Sequence, residues 1–147
     1  LHGVSMGAAT VLMASGEDLP ENVKAVIADC GYTSEWDEFQ READTLHIPW
    51  FPVLNATSVL SKVRDGYDFK QASALAQVKK SRIPTLFIHG SSDELVPYSM
   101  LGELYAAAAC EKEELTVEGA GHALSSSVAP TLYWRTVEDF IAKNLDR

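Results

Sequence analysis

Three short stretches carry residue types that can act in series on a carbonyl group. Ser5 stands between two glycines in Gly3-Val4-Ser5-Met6-Gly7, Asp93 lies in "HGSSDELVP", and His122 lies in "GAGHA". A serine hydroxyl at its normal pKa is a weak nucleophile. It needs a base to take its proton and an acid to orient that base. The chemistry these types allow is acyl transfer through an acyl-serine, with water as the final acceptor. Each residue also has a plainer reading. Ser5 could cap the helix that follows, Asp93 could form a turn ahead of Pro97, and His122 could be an exposed loop residue. Asp29 closes another apolar run and is a rival for the acid, or else holds the "DCGYTS" turn by accepting backbone N–H bonds.

The elements around these residues decide whether they can meet. From Ser5 to Ser15 the chain reads as a helix, apolar nearly all round and stopped at Gly16. "VKAVIAD", Val23 to Asp29, reads as a buried strand. Ser34 and Asp37 match a capping box, which predicts a helix to Ala43. An irregular, cap-like section covers about residues 45–68 and holds a helix from Val53 to Val63; "RDGYDFKQAS" reads as a loop. "IPTLFIHG" predicts a strand ending at Gly90, and Pro97–Cys110 an amphipathic helix with Leu101, Leu104, Tyr105 and Ala108 on one face. "EELTVEG" predicts a third strand, "GAGHALSSS" a loop, and Pro130–Leu145 a last helix. Alternation of this kind implies an α/β fold, a three-layer sandwich with a mostly parallel sheet. Parallel strands put their carboxyl ends on one edge, where Ser5, Asp93 and His122 would gather.

On these grounds the chain resembles the C-terminal half of the α/β-hydrolase superfamily. "GVSMG", "HGSSDELVP" and "GAGHA" occur in the order Ser, Asp, His, and the resemblance covers essentially all 147 residues as one domain. "HGVSMGAATVL" and "ADCGYTS" look like bacterial esterases or serine-aminopeptidase-like hydrolases. The resemblance implies a truncated α/β-hydrolase fold with Ser5 as nucleophile, His122 as general base and acid, and Asp93 as orienting acid. It implies a nucleophile elbow in which Gly3 and Gly7 relieve a clash, and it makes the Met6 N–H an oxyanion donor. Trp50 and Phe51 become candidates for substrate binding, with ordinary packing as the alternative. The expected activity is a serine hydrolase cleaving carboxylic esters. A peptidase for short peptides, or a non-catalytic binding module, are the alternatives.

The family's second oxyanion donor comes from a loop ahead of the nucleophile strand, and this chain opens on Leu1, almost at Ser5. The chain alone is therefore expected to be weakly active or inactive. Its sheet is expected to present a raw edge, at the Val23–Asp29 strand or the stub before Ser5, that favours a homo-oligomer.

Composition narrows the partners. The formal charge is −9 and the pI about 4.8, so polyanions such as nucleic acid are repelled. Cys30 and Cys110 are too few for a disulfide scaffold and read as free thiols. No Cys/His cluster has zinc spacing, so no metal and no cofactor is expected, and the partner is a small ester or amide. Among the other histidines, His2 falls in the strand before Ser5, His89 is expected to hold the Asp93 loop, and His47 to lie at the surface.

Overall fold

The computed structural model describes residues 1–145. In chain order its elements are β1 (His2–Val4), α1 (Met6–Ser15), β2 (Val26–Asp29), α2 (Glu35–Thr45), α3 (Trp50–Asp65) and α4 (Ala74–Val78). There follow β3 (Thr85–Gly90), α5 (Ser99–Ala107), β4 (Lys112–Val117), α6 (Ser125–Val128) and α7 (Pro130–Leu145). The strands form one sheet in the order β1-β2-β3-β4, and every neighbouring pair is parallel. This is a parallel sheet in a three-layer α/β arrangement, with helices packed on both faces.

Each crossover steps the same way across the sheet, and crossovers of one hand then deliver their helices to one face. Accordingly Ala8 and Leu12 of α1, Ala74 and Val78 of α4, and Leu101 and Leu104 of α5 pack with Val26, Ala28 and Phe87. The alternate strand residues Ile27, Leu86 and Ile88 face the other way, against Tyr133, Val137 and Phe140 of α7. Period-two alternation thus buries both faces of β2 and β3, which is why those strands read as continuous apolar runs. Removing a side chain such as Phe87, 2% exposed, costs about 3–5 kcal/mol.

Several elements depart from the pattern read in the sequence. Helix α1 begins at Met6, not Ser5, and Met6 is itself 68% exposed although the helix reads as apolar all round. Strand β2 starts at Val26 rather than Val23. Helix α3 is longer than expected and carries a break: Phe51 has strand-like angles (φ −96°, ψ 129°) before the chain resumes helical geometry. Helices α4 and α6, five and four residues long, were not expected. Helix α4 has a local cause, since the Ser73 hydroxyl caps it by accepting from the Ala76 N–H at 3.1 Å. The capping box at Ser34 is half realised. Its Oγ accepts from the Asp37 N–H at 3.1 Å, but the Asp37 carboxylate turns to the Ser34 hydroxyl at 2.6 Å. Of the two edges expected to be raw, it is β1 that ends the sheet, with β2 covered by it.

Candidate active site

All four strands point the same way, so their exits share one edge. Ser5 follows β1, Asp29 ends β2 with Cys30 just beyond it, Asp93 follows β3, and His122 follows β4.

Ser5 sits in a forced conformation. Its φ is 55° and ψ −118°, outside the regions that L-residues favour. The turn from β1 into α1 is tight enough that a Cβ on Gly3 would lie 2.1 Å from the Gly7 carbonyl oxygen, so position 3 must be glycine. Gly7 corrects the symmetrical expectation, because a Cβ there would meet nothing within 4 Å. It is the Gly7 backbone, not its missing side chain, that crowds the turn. Ser5 is pinned by its N–H, which donates to the Asp29 carbonyl at 2.8 Å. Its side chain caps nothing in α1. Met6 takes the first helical position, where an N–H has no partner inside the helix and the helix dipole favours negative charge.

The Ser5 Oγ lies 2.8 Å from His122 Nε2, and His122 Nδ1 lies 2.8 Å from Asp93 Oδ2. A carboxylate only accepts, so Nδ1 carries the imidazole proton. Nε2 is then free to accept from the Ser5 hydroxyl. The Asp93 carboxylate is fully buried and the His122 ring about one-fifth exposed. The other carboxylate oxygen, Oδ1, accepts from the N–H groups of Leu95 at 3.0 Å and Val96 at 2.9 Å. His89 Nε2 faces two acceptors, the Val96 carbonyl at 3.0 Å and Asp93 Oδ2 at 3.3 Å, so that nitrogen is the protonated one. His89 thereby holds the Asp93 loop. Glu94 beside it is exposed.

The Asp93 and His122 loops are stitched together by backbone. Ser91 N–H donates to Val117 O and Ser92 N–H to Ala120 O, both at 3.0 Å. A Cβ on Gly90 would lie 2.2 Å from the Ala120 carbonyl oxygen, so this approach also demands glycine. Sequence reading missed Gly90. Its only trace is the glycine that closes "LFIHG", and the carbonyl it makes room for lies on the loop after β4, 30 residues away in sequence.

Asp29 is 1% exposed and takes no part in the serine–histidine–carboxylate series. Its carboxylate accepts from the Ser125 hydroxyl at 3.1 Å, a partner quite different from the turn N–H groups expected. Burial pushes its pKa above the usual carboxylate range, opposed by hydrogen bonds from Ser125 and Tyr133 and by His89 and His2 nearby. Cys30 is wholly buried, with its thiol pushed up to about 12 by burial first and by the neighbouring Asp29 charge second. Ligand atoms of Cys30, Asp93 and His122 lie within 4.8 Å of one another, the geometry a metal could use. Two of the three are already hydrogen-bonded to each other, and the third resists losing its proton.

The other predicted residues stand apart from this series. Trp50 and Phe51 open α3 and pair edge-on at 6.2 Å, with Phe51 67% exposed. His47 is exposed at φ 56°. His2 joins a buried polar group through Tyr133, its Nε2 3.0 Å from the phenol oxygen. Among the described residues no helix is long and apolar enough to cross a membrane.

A profile of the prolyl oligopeptidase family matches residues 1–147. Among curated proteins the chain is 32% identical over 144 residues to the uncharacterized protein YqkD of Bacillus subtilis, covering 96% of this chain and 47% of that one. It is 29% identical over 120 residues to the uncharacterized protein Rv2307c of Mycobacterium tuberculosis, covering 82% and 36%. The chain therefore spans half or less of the length of these relatives. Among solved structures, the Pyrococcus furiosus esterase Pf2001 matches with TM-score 0.70 and 19% identity over 98% of this chain and 53% of its own. An acylaminoacyl peptidase of Pyrococcus horikoshii matches with TM-score 0.71 and 18% identity over 98% of this chain and 23% of its own. At such identities these two speak for the fold alone.

Proposed function

This chain belongs to the prolyl oligopeptidase family, and on that premise we propose that it carries the reacting centre of a serine hydrolase that cleaves carboxylic esters. One observation carries the reading: the unbroken series Ser5 Oγ, His122 Nε2, His122 Nδ1, Asp93 Oδ2, with both separations 2.8 Å. As the Ser5 oxygen attacks the substrate carbonyl, its proton passes to His122 Nε2. Asp93 steadies the imidazolium that forms. The oxyanion develops near the Met6 N–H, where one well-placed donor is worth about 2.7–4 kcal/mol. The leaving group departs with the proton from His122, and an acyl-serine remains. Water then repeats the sequence, losing its proton to the same nitrogen and releasing the acid. General base catalysis of this kind supplies about 10²–10⁴-fold.

Peptide cleavage is the second reading, favoured by the family assignment and by the likeness to a structure named as an acylaminoacyl peptidase. Both reactions share the acyl-serine and differ in the leaving group. An amine must be protonated as it departs, whereas an alkoxide or phenoxide leaves more readily. Trp50 and Phe51 are the proposed binding surface for the apolar part of the substrate. The reading adds a second copy of this chain as partner, paired along the outer edge of β1. Light scattering should then give at least twice the 16.0 kDa chain mass; a monomer at high concentration would remove that element.

A fluorophosphonate probe followed by peptide mapping tests the chemistry. The expected result is a single adduct on Ser5. A paired set of p-nitrophenyl esters and aminoacyl p-nitroanilides then separates the two readings by kcat/KM. An unlabelled chain that still binds an ester analogue would favour a non-catalytic binding module.

A further inference from the structure

The hydrogen bond between Ser5 and His122 joins two loops that are far apart in sequence, and one buried residue touches the supports of both. Asp29 accepts the Ser5 N–H through its carbonyl oxygen at 2.8 Å. It accepts the Ser125 hydroxyl through its carboxylate at 3.1 Å. Ser125 is fully buried and opens α6, the short helix that receives the chain directly after His122. The Tyr133 hydroxyl of α7 lies near the same carboxylate and is hydrogen-bonded to His2, whose Nε2 is 3.0 Å away.

The neighbouring residue reinforces the arrangement. Cys30 follows Asp29 in left-handed geometry (φ 49°), and its buried thiol lies near the backbone of both Ser5 and Ala123. Ala123, next to His122, is also left-handed (φ 57°). Three non-glycine residues with positive φ, Ser5, Cys30 and Ala123, therefore lie around one point. Such conformations persist only where the surroundings over-determine them.

We infer that Asp29 is a positioning residue: its backbone holds the turn that bears Ser5, its side chain holds the segment that follows His122, and together they set the distance between the two reacting atoms. The inference rests on the reading of Ser5 and His122 as a reacting pair. A buried carboxylate is suited to this task because it accepts the Ser125 hydroxyl with fixed geometry, and that buried hydroxyl would be left unpaired without it. The spacing matters because misplacement of reacting groups by about 1 Å can cost about 10²-fold in rate.

The experiment compares Ser125→Ala, Asp29→Asn and Val137→Ala with the unaltered protein. Val137 lies in the α7 core, 3% exposed, and serves as a control for simple loss of stability. The first readout is the low-field proton resonance of His122 Nδ1–H in NMR spectra. It requires no turnover. The second is the rate at which Ser5 reacts with a fluorophosphonate, taken well below each variant's Tm. Ser125→Ala should broaden or shift the resonance and slow labelling about tenfold. Asp29→Asn, which keeps an acceptor for Ser125, should retain the resonance. Val137→Ala should lower Tm while leaving the resonance and the labelling rate as they are. The proposal is overturned if Ser125→Ala leaves the resonance intact, if Val137→Ala perturbs it equally, or if the unaltered protein shows none. A protein that shows the resonance and its loss in Ser125→Ala, yet is never labelled, would defeat the hydrolase reading and leave the positioning role standing.

Discussion

The strand exits and the α2–α3 segment are built on opposite plans. At the exits of β2, β3 and β4, polar side chains are buried and each has a partner: Asp29 with Ser125, Asp93 with His122 and two backbone N–H groups, His89 with Val96. In α2 no residue is fully buried, and in α3 only Leu54 and Ser58 are. Large apolar groups of α3 stand in the open instead, with Val59 62%, Leu60 63% and Val63 81% exposed. One region uses its hydrogen bonds to hold a few polar atoms in fixed relation. The other meets the rest of the described chain lightly, through contacts such as the hydrogen bond from Arg41 to the Leu95 carbonyl. Substitutions should therefore be felt very unequally.

The sharpest division is expected at Ser5. Ser5→Ala should lower kcat by about 10⁶-fold, with no loss in Tm, because a strained serine is replaced without touching its neighbours. Assays of turnover beside thermal unfolding check it, and residual activity near the original would merge the two regions. Asp93→Asn comes next. An amide at the second oxygen can present N–H to His122 and favour the wrong tautomer, which should cost about 10⁴-fold in kcat.

Backbone packing gives a smaller effect. Gly90→Ala drives a Cβ into the Ala120 carbonyl, and destabilisation of about 1–3 kcal/mol is expected in denaturant titrations. Gly7→Ala, where the space is open, is expected to leave stability unchanged or slightly raised. Equal losses at the two positions would contradict the packing described.

Asp29 offers a comparison across pH. Its folded pKa is raised by burial, so the unfolded chain gives up this proton more readily than the folded one. The stability linked to its protonation is complete below the ordinary carboxylate range and is lost as pH rises through the folded value. Asn carries no such titration. The Tm of Asp29→Asn should thus improve relative to the unaltered protein as pH rises from the acid range towards neutrality, and a constant offset would contradict this. Smallest of all should be Val63→Asp on the open face of α3, within about 0.5 kcal/mol by denaturant midpoint. A large loss there would mean that this face is covered.

Legibility in the sequence followed the same division. Ser5, Asp93 and His122 could be placed on one edge because each sits in a short local motif after a strand, and strand direction alone brings such exits together. Strands β2 and β3 were readable as apolar runs because both of their faces are buried. What escaped depends on distant partners. Helix α6 is four residues long, and its Ser125 bonds to Asp29 across most of the chain. The need for glycine at position 90 comes from a carbonyl on the neighbouring loop. Helix α3 was expected only from Val53, whereas it begins at Trp50 and passes through a non-helical Phe51 just before Pro52.

The central claim is that the hydroxyl of Ser5 and the imidazole of His122 act as one unit. It is tested most directly by kcat/KM for Ser5→Ala, His122→Ala and the double variant on one activated ester. The account predicts that the double variant is no slower than either single one, because each change alone already disables the pair. Losses that multiply, or a His122→Ala variant close to the original rate, would contradict it.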